Sequence, residues 1–299
     1  MRKIHFLVIF LLTFIYGCKQ NVKPLIEDKE GKGLELLQYE DIIGGDLIYN
    51  ISEIPWQVGL LEPQQDIECF CGGSIINERW ILTAAHCLYY EDWLGRTKKR
   101  TVTDLYIFAN SSNLKSGGEI YDVINIIEHP NYNQSNQDND IALLEVSLPI
   151  NLISNNQIVS LPRNLEEYTN LNQVGREFLV SGWGATDVNG TIFPEILRRT
   201  NVSIKSHNIC KTNYAAVNST VTDNMICAAN PDKDTCGGDS GGPLYTIINN
   251  NGILLGITSW GGDPCADSNL FGVYTDTFKY FEWINSNCNN CLDSEVAIL

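Results

Sequence analysis

The stretch Asp234-Thr-Cys-Gly-Gly-Asp-Ser-Gly-Gly-Pro243 sets one serine among four glycines, two aspartates and a cysteine within ten residues. Glycine admits φ > 0 and lets backbone come close to a ligand. A loop of this composition can aim several N–H groups at one point, which is what a developing oxyanion needs: donors fixed in advance where negative charge will appear. A serine hydroxyl is a weak nucleophile near neutral pH. Ser240 as a nucleophile therefore requires a histidine base and an orienting carboxylate elsewhere in the chain.

Outward from this loop the chain reads as short strands. Pro243–Ile248, Ile253–Thr258 and Gly272–Thr275 follow it, and Glu177–Ser181 and Leu197–Ser203 precede it. The first half offers Pro55–Leu61, Gly73–Ile76, Trp80–Thr83, Leu105–Phe108, Ile120–Ile127 and Ile141–Val146. Many short apolar runs, regularly spaced and separated by Gly, Pro, Asn and Ser, indicate an all-β sandwich or barrels. Helix signals are few: Ser206–Tyr214, and Phe278–Asn287 with apolar Phe278, Phe281, Trp283 and Ile284. The polar stretch Arg163–Asn172 reads as a connector between two all-β halves. No short period recurs, which argues against a solenoid or propeller.

Length and charge narrow the function. A chain of 299 residues, 43% hydrophobic and 19% charged, is globular and can bury a large core. Its formal net charge of -16 argues against a nucleic-acid partner. Residues 1–18 stand apart: Arg2 and Lys3 lead into the apolar run Ile4–Tyr16, too short to span a bilayer comfortably, the pattern of an export signal. Ile15-Tyr-Gly-Cys18 resembles a bacterial lipobox, which implies lipidation at Cys18 and a membrane anchor; an ordinary secretory leader is the plainer reading. The expected location is periplasmic or outer-membrane in a bacterium and secreted otherwise. Residues 19–41 are polar, lack a strand pattern and read as a tether or propeptide.

The groups that Ser240 requires are present. His86 lies in Cys71-Gly-Gly-Ser-Ile-Ile-Asn-Glu-Arg-Trp-Ile-Leu-Thr-Ala-Ala-His-Cys87, after a run that reads as a buried strand, a setting that His129 and His207 lack. Asp140, in Asn139-Asp-Ile-Ala-Leu-Leu144, leads straight into an apolar strand. A carboxylate there is costly unless hydrogen-bonded, and a histidine N–H is a suitable partner. The order His86, Asp140, Ser240 is one of the known chain orders for this constellation.

Six motifs then agree in register: Ile42-Ile-Gly-Gly45, Leu82-Thr-Ala-Ala-His-Cys87, Asp140-Ile-Ala-Leu-Leu144, Ser181-Gly-Trp-Gly184, Gly238-Asp-Ser-Gly-Gly-Pro243 and Ser259-Trp-Gly261. On these the chain resembles the chymotrypsin-like (trypsin-type) serine proteases from Ile42 to about Asn287. The resemblance implies two antiparallel six-stranded β-barrels, about 42–163 and 173–277, with a C-terminal helix at about 278–287 and a tail from 288 to 299. It implies catalysis by His86, Asp140 and Ser240, an oxyanion hole from the N–H groups of Gly238 and Ser240, and a hydrogen bond from Ser259 to Asp140. Ser259, Trp260 and Gly261 would pair with substrate backbone. Asp234, six residues before Ser240, would stand at the base of the specificity pocket, with Gly261 and Gly272 keeping it open, so cleavage after Arg or Lys follows. Protein or peptide substrates, no cofactor and a monomer are expected.

Other consequences of the resemblance are covalent and regulatory. Disulfides Cys71–Cys87, Cys210–Cys227 and Cys236–Cys265 are implied; Cys288 with Cys291 is the best remaining pair, leaving Cys69 as a free thiol or an intermolecular partner. Maturation would cut before Ile42, whose new ammonium group would pair with Asp239. Trypsinogen-like zymogens carry Arg or Lys before the cut, whereas this chain carries Asp41, so an activating protease of non-tryptic specificity is expected. Asn110–Glu119, the counterpart of the family calcium loop, has one acid, so no structural metal is expected there. Phe271 departs from the proline of simple trypsins, at a position where an aromatic accompanies sodium binding in some relatives. A catalytically silent homologue serving as a binding module is the alternative, and intact His86, Asp140, Ser240 and Gly238 argue against it.

Overall fold

Strand alternation is cleanest in Arg198–Ile204, where buried and half-buried side chains alternate residue by residue, as a pleated strand with one face on a core requires. The computed structural model describes residues 45–63, 68–154, 156–187, 191–231, 237–262 and 267–292. In chain order the strands are β1 (Asp46–Leu47), β2 (Gln57–Leu61), β3 (Cys69–Asn77), β4 (Trp80–Thr83), β5 (Tyr89–Glu91), β6 (Thr97–Lys99), β7 (Tyr106–Ala109), β8 (Glu119–Glu128), β9 (Ala142–Val146), β10 (Glu177–Gly182), β11 (Arg198–Ile204), β12 (Met225–Ala229), β13 (Pro243–Ile248), β14 (Asn251–Trp260) and β15 (Gly272–Asp276). The α-helices are α1 (Leu165–Leu171), α2 (His207–Ala215) and α3 (Phe281–Asn287).

These strands close two antiparallel barrels of six. The first runs β2-β3-β4-β9-β8-β7 and closes through β7 on β2. The second runs β11-β10-β13-β14-β15-β12 and closes where Ser203 and Ile204 of β11 pair with Ala229 and Ala228 of β12. β1 adds to the outside of β11. Closure leaves few free edges, which is how all-β chains of this size avoid edge-to-edge association. Val58, Leu60, Ile75, Ile81, Leu82, Leu143 and Leu144 fill the first core; Phe178, Val180, Val202, Leu244, Leu255 and Tyr274 fill the second. The β13–β14 hairpin turns through Asn249 and Asn250 at φ 51 and 64, the pair of positive φ values that a two-residue primed turn requires.

Several elements depart from the sequence expectation, three of them in connecting and terminal segments. The connector Arg163–Asn172 contains α1: Asn164 Oδ1 accepts the Glu167 N–H at 2.9 Å, and Glu167 Oε2 reaches back to the Arg163 N–H at 3.0 Å, so a cap nucleates a helix in a stretch of weak periodicity. Residues Tyr89–Lys99 form the β5–β6 hairpin although Tyr89–Glu91 and Thr97–Lys99 show no apolar alternation; Asp92 Oδ1 accepts from Leu94 and Arg96 N–H to build the turn. The C-terminal helix begins with a 3-10 turn at Thr277–Tyr280, because Asp276 accepts the Phe278 N–H at 3.1 Å, and becomes α-helical only at Phe281.

The barrels meet through polar and aromatic contacts. Ser181 Oγ donates to Gln57 Oε1 at 2.7 Å with both side chains buried. Trp56 meets Tyr245 edge-on with centroids 5.2 Å apart. Thr222 Oγ1 and Asn224 Nδ2, before and at the mouth of β12, donate to Asp138 Oδ1 at 2.6 and 3.0 Å, two residues from Asp140. Disulfides join Cys71 to Cys87, Cys210 to Cys227 and Cys288 to Cys291, and Cys69 is a free thiol whose pKa burial pushes up. Cys236 and Cys265 lie outside the described residues.

Candidate active site

His86 sits in a 3-10 turn, Ala85–Leu88, directly after β4. The Cys71–Cys87 bridge ties that turn to β3, and Thr83 Oγ1 donates to Gly72 O at 2.8 Å. Asp140, at the entry to β9, is fully buried. Its Oδ1 accepts the His86 backbone N–H at 2.8 Å; its Oδ2 is 2.7 Å from His86 Nδ1 and accepts Ser259 Oγ at 2.5 Å. Its carbonyl accepts Thr275 Oγ1 at 2.8 Å. The preceding Asn139 takes φ 57 and accepts the Tyr280 hydroxyl at 3.1 Å, fixing the turn from the far side. A buried carboxylate is tolerated on such terms, with each oxygen given a donor.

The bond to Asp140 assigns the histidine tautomer. With Nδ1–H directed at Asp140 Oδ2, the lone pair lies on Nε2. Burial alone would lower the imidazole pKa, but the charge of Asp140 and its hydrogen bond outweigh burial, and the net displacement is above the ordinary histidine value. Cys71, His86 and Cys87 cluster closely enough to hold a metal ion, but the two sulfurs are bonded to each other and are not thiolates.

The Ser240 loop is laced to the same residues from both barrels. Gly72 N donates to Ser240 O at 2.7 Å, and Gly241 N donates to Thr258 O at 2.8 Å, one residue before Ser259. Gly241 has φ 77, and a Cβ there would stand 2.2 Å from Thr83 Oγ1 and 2.5 Å from Gly72 O; no other residue allows that approach. Ala185 N donates to Gly237 O at 2.7 Å. Because C=O and N–H of a trans peptide point in opposite directions, anchoring the Gly237 carbonyl on Ala185 turns the Gly238 N–H away from Ala185, at a residue with φ 96.

Asp239 is buried beside the serine, and its Oδ1 accepts the Gly184 N–H at 2.9 Å. A Cβ on Gly182 would stand 2.2 Å from that oxygen, and one on Gly184 2.4 Å from the carboxyl carbon, so the glycines of Ser181-Gly-Trp-Gly184 make the carboxylate's seat. Trp260 ends β14 with its ring 4.6 Å from that of Tyr214, whose hydroxyl donates to Phe271 O at 2.6 Å. Beyond it, a Cβ on Gly261 would lie 3.7 Å from Gly272 Cα, so the two glycines face one another. The sequence expectations at Cys18, Asp41, Ile42 and Asp234 lie outside the described residues.

Several contributors escaped sequence reasoning. Thr275 reaches Asp140 across 135 residues with no local signal, whereas the Ser259 bond, across 119, is the one the resemblance implies. Ala185 and Gly72 act through backbone N–H groups, which no side-chain pattern reports.

The family model described as Trypsin matches residues 42–284. Trypsin of Phaedon cochleariae is 38% identical over 251 residues, 82% of this chain and 87% of its own length. The chain belongs to the trypsin family. Trypsin of Sus scrofa, 37% identical over 247 residues, is covered over 95% of its length with 82% of this chain, and cationic trypsin-3 of Rattus norvegicus, 36% identical over 248 residues, over 89% with 82%. The protein is accordingly a trypsin-like serine endopeptidase with protein substrates. Among the described residues no helix is long and apolar enough to cross a membrane.

Proposed function

We propose that the chain, once cut before Ile42, hydrolyses peptide bonds after Arg or Lys through an acyl-enzyme on Ser240. The observation that carries the reading is the buried Asp140 carboxylate, 2.7 Å from His86 Nδ1 and bonded by Ser259. His86 Nε2 takes the Ser240 proton as Oγ adds to the substrate carbonyl carbon. The N–H groups of Gly238 and Ser240 bind the oxygen as it becomes negative. His86 then gives the proton to the departing amine as the C–N bond breaks. Water repeats the sequence on the ester and restores Ser240. Asp140 holds the tautomer and stabilises the imidazolium.

Specificity for cations rests on Asp234, six residues before Ser240, and on the facing Gly261 and Gly272. A carboxylate in a narrow slot favours a cationic side chain. Ser259, Trp260 and Gly261 pair with substrate backbone. Activation places the Ile42 ammonium against Asp239, whose buried carboxylate needs a counter-charge. Because Asp41 precedes the cut, a different protease performs it; autocatalytic cleavage after Asp41 by purified chain, seen by N-terminal sequencing, would overturn this. Residues 1–18 support export. The relatives lend no support to lipidation at Cys18, and the proposal for the leader is export alone. Profiling cleavage of a peptide library by chain processed to start at Ile42 tests specificity: cuts after Arg and Lys are expected, and cuts confined to another residue class would overturn it.

A further inference from the structure

The segment that returns from Thr186 brings an aromatic ring onto the loop beside Ser240. Thr186 N and Oγ1 both donate to Ile192 O, at 2.8 and 3.1 Å, and Asp187 Oδ1 accepts the Ile192 N–H at 2.7 Å. The next residue, Phe193, is 56% exposed and lies outside the barrel cores. Its ring nevertheless has a partner: a Cβ built on Gly238 would meet Phe193 Cε1 at 3.2 Å and Cδ1 at 3.6 Å, with Gly184 Cα at 3.0 Å. The face of Gly238 is thus closed by Phe193 and Gly184 together. A Cβ built on Gly237 would meet nothing within 4 Å.

Two consecutive glycines leave the peptide between them unusually free to rotate, and fixing a glycine backbone opposes alignment by roughly five- to thirtyfold. Among the described residues the hydrogen bond that orients it runs from Ala185 N to Gly237 O, and it favours alignment by only about fivefold at ordinary net strength. That bond by itself does not hold the peptide aligned, and a ring against Gly238 restricts rotation further. We propose that Phe193 is a positioning residue that keeps the Gly237–Gly238 peptide turned so that the Gly238 N–H faces the developing oxyanion. This rests on the oxyanion-hole reading of Gly238 above.

The test uses chain processed to start at Ile42, as wild type, Phe193→Ala and Phe193→Tyr. Three probes separate the explanations: an arginine p-nitroanilide, a peptidyl-arginine aldehyde that adds to Ser240 and sets its oxygen in the hole, and benzamidine, which reaches only the cation pocket. Phe193→Ala should lower kcat on the anilide about three- to tenfold with KM changed less than about twofold, and weaken the aldehyde by a similar factor through the smaller competent fraction. Benzamidine should bind unchanged and Phe193→Tyr should match wild type within about twofold. If Phe193→Ala leaves the anilide and aldehyde unaffected and slows only peptides extended past the scissile bond, the ring contacts the leaving group and the inference is wrong. Equal weakening of aldehyde and benzamidine would show general loosening and also overturn it. A wild-type chain that binds benzamidine yet neither turns over the anilide nor binds the aldehyde overturns the reading of Ser240, and the inference with it.

Discussion

Replacing Asp276 by asparagine should stabilise the protein at pH 7.5 and leave it nearly unchanged at pH 4.5. Asp276 ends β15 in the core, where its Oδ2 accepts the Tyr168 hydroxyl at 2.5 Å and its Oδ1 accepts the Phe278 N–H. Burial pushes its carboxyl up from 3.8 to about 6, against the lowering pull of the Tyr168 hydroxyl and Lys279. A carboxyl raised in the fold contributes stability that is fully present below its unfolded value and is lost as pH rises through about 6. At about 1.4 kcal/mol per pH unit, ionised Asp276 costs the fold about 3 kcal/mol at pH 7.5 relative to a group that stays neutral. Asparagine keeps an acceptor for the Phe278 N–H but leaves the Tyr168 hydroxyl proton without its acceptor, a loss of about 1 kcal/mol. The net expectation is about 2 kcal/mol of stabilisation at pH 7.5, falling to about zero at pH 4.5, where Asp276 is protonated in the fold but mostly ionised in the unfolded chain, a remaining cost of about 1 kcal/mol that the lost Tyr168 bond offsets. Urea unfolding in a Ser240→Ala background, disulfides intact, measures both. The same difference at the two pH values would refute the reasoning, because it would mean that Asp276 does not titrate between them.

The remaining predictions concern the site and the loop next to it. Gly184→Ala would put a Cβ 2.4 Å from the Asp239 carboxyl carbon; displacing that carboxylate should lower kcat/KM by about a hundredfold, the scale of losing one oxyanion donor, and activity within about threefold of wild type would contradict the seat described for Asp239. The acid limb of kcat/KM should have an apparent pKa above the ordinary histidine value, because Asp140 raises His86, and Asp140→Asn should lower it; a limb that does not move would contradict that cause. In Asn110–Glu119, Ser111 Oγ donates to the carbonyls of Asn113 and Ser116 at 3.1 and 2.8 Å, so the loop closes on its own side chain, and a chelator should leave Tm unchanged.

Much of this architecture is legible in the sequence because barrel strands announce themselves by alternation and by turn residues. Pro243–Ile248 and Trp80–Thr83 have the bounds their apolar runs predict. The hairpin at Tyr89–Lys99 was not legible because its strands are largely exposed and carry no core face to enforce a pattern. The strand Met225–Ala229 was missed for the opposite reason: it is buried throughout, so no alternation survives, and its alanines are weak strand formers. Helix α1 was missed although Asn164 and Glu167 stand at capping separation, because its apolar face is small, with only Leu171 buried. At the site, His86, Asp140 and Ser240 were readable from local context and from resemblance. Both further bonds to Asp140 come from the other barrel: the one from Ser259 is implied by the resemblance, and the one from Thr275 is not, because such long-range pairings leave no mark on neighbouring residues.

The central claim is that Ser240 is a nucleophile made reactive by His86 and Asp140. A fluorophosphonate probe applied to chain shown by N-terminal sequencing to begin at Ile42, with the adduct located by mass spectrometry, tests it most directly. The account predicts one adduct per chain on Ser240, absent in Ser240→Ala and formed at least about a hundredfold more slowly in His86→Ala. Correctly processed chain that remains unlabelled at Ser240 would contradict it.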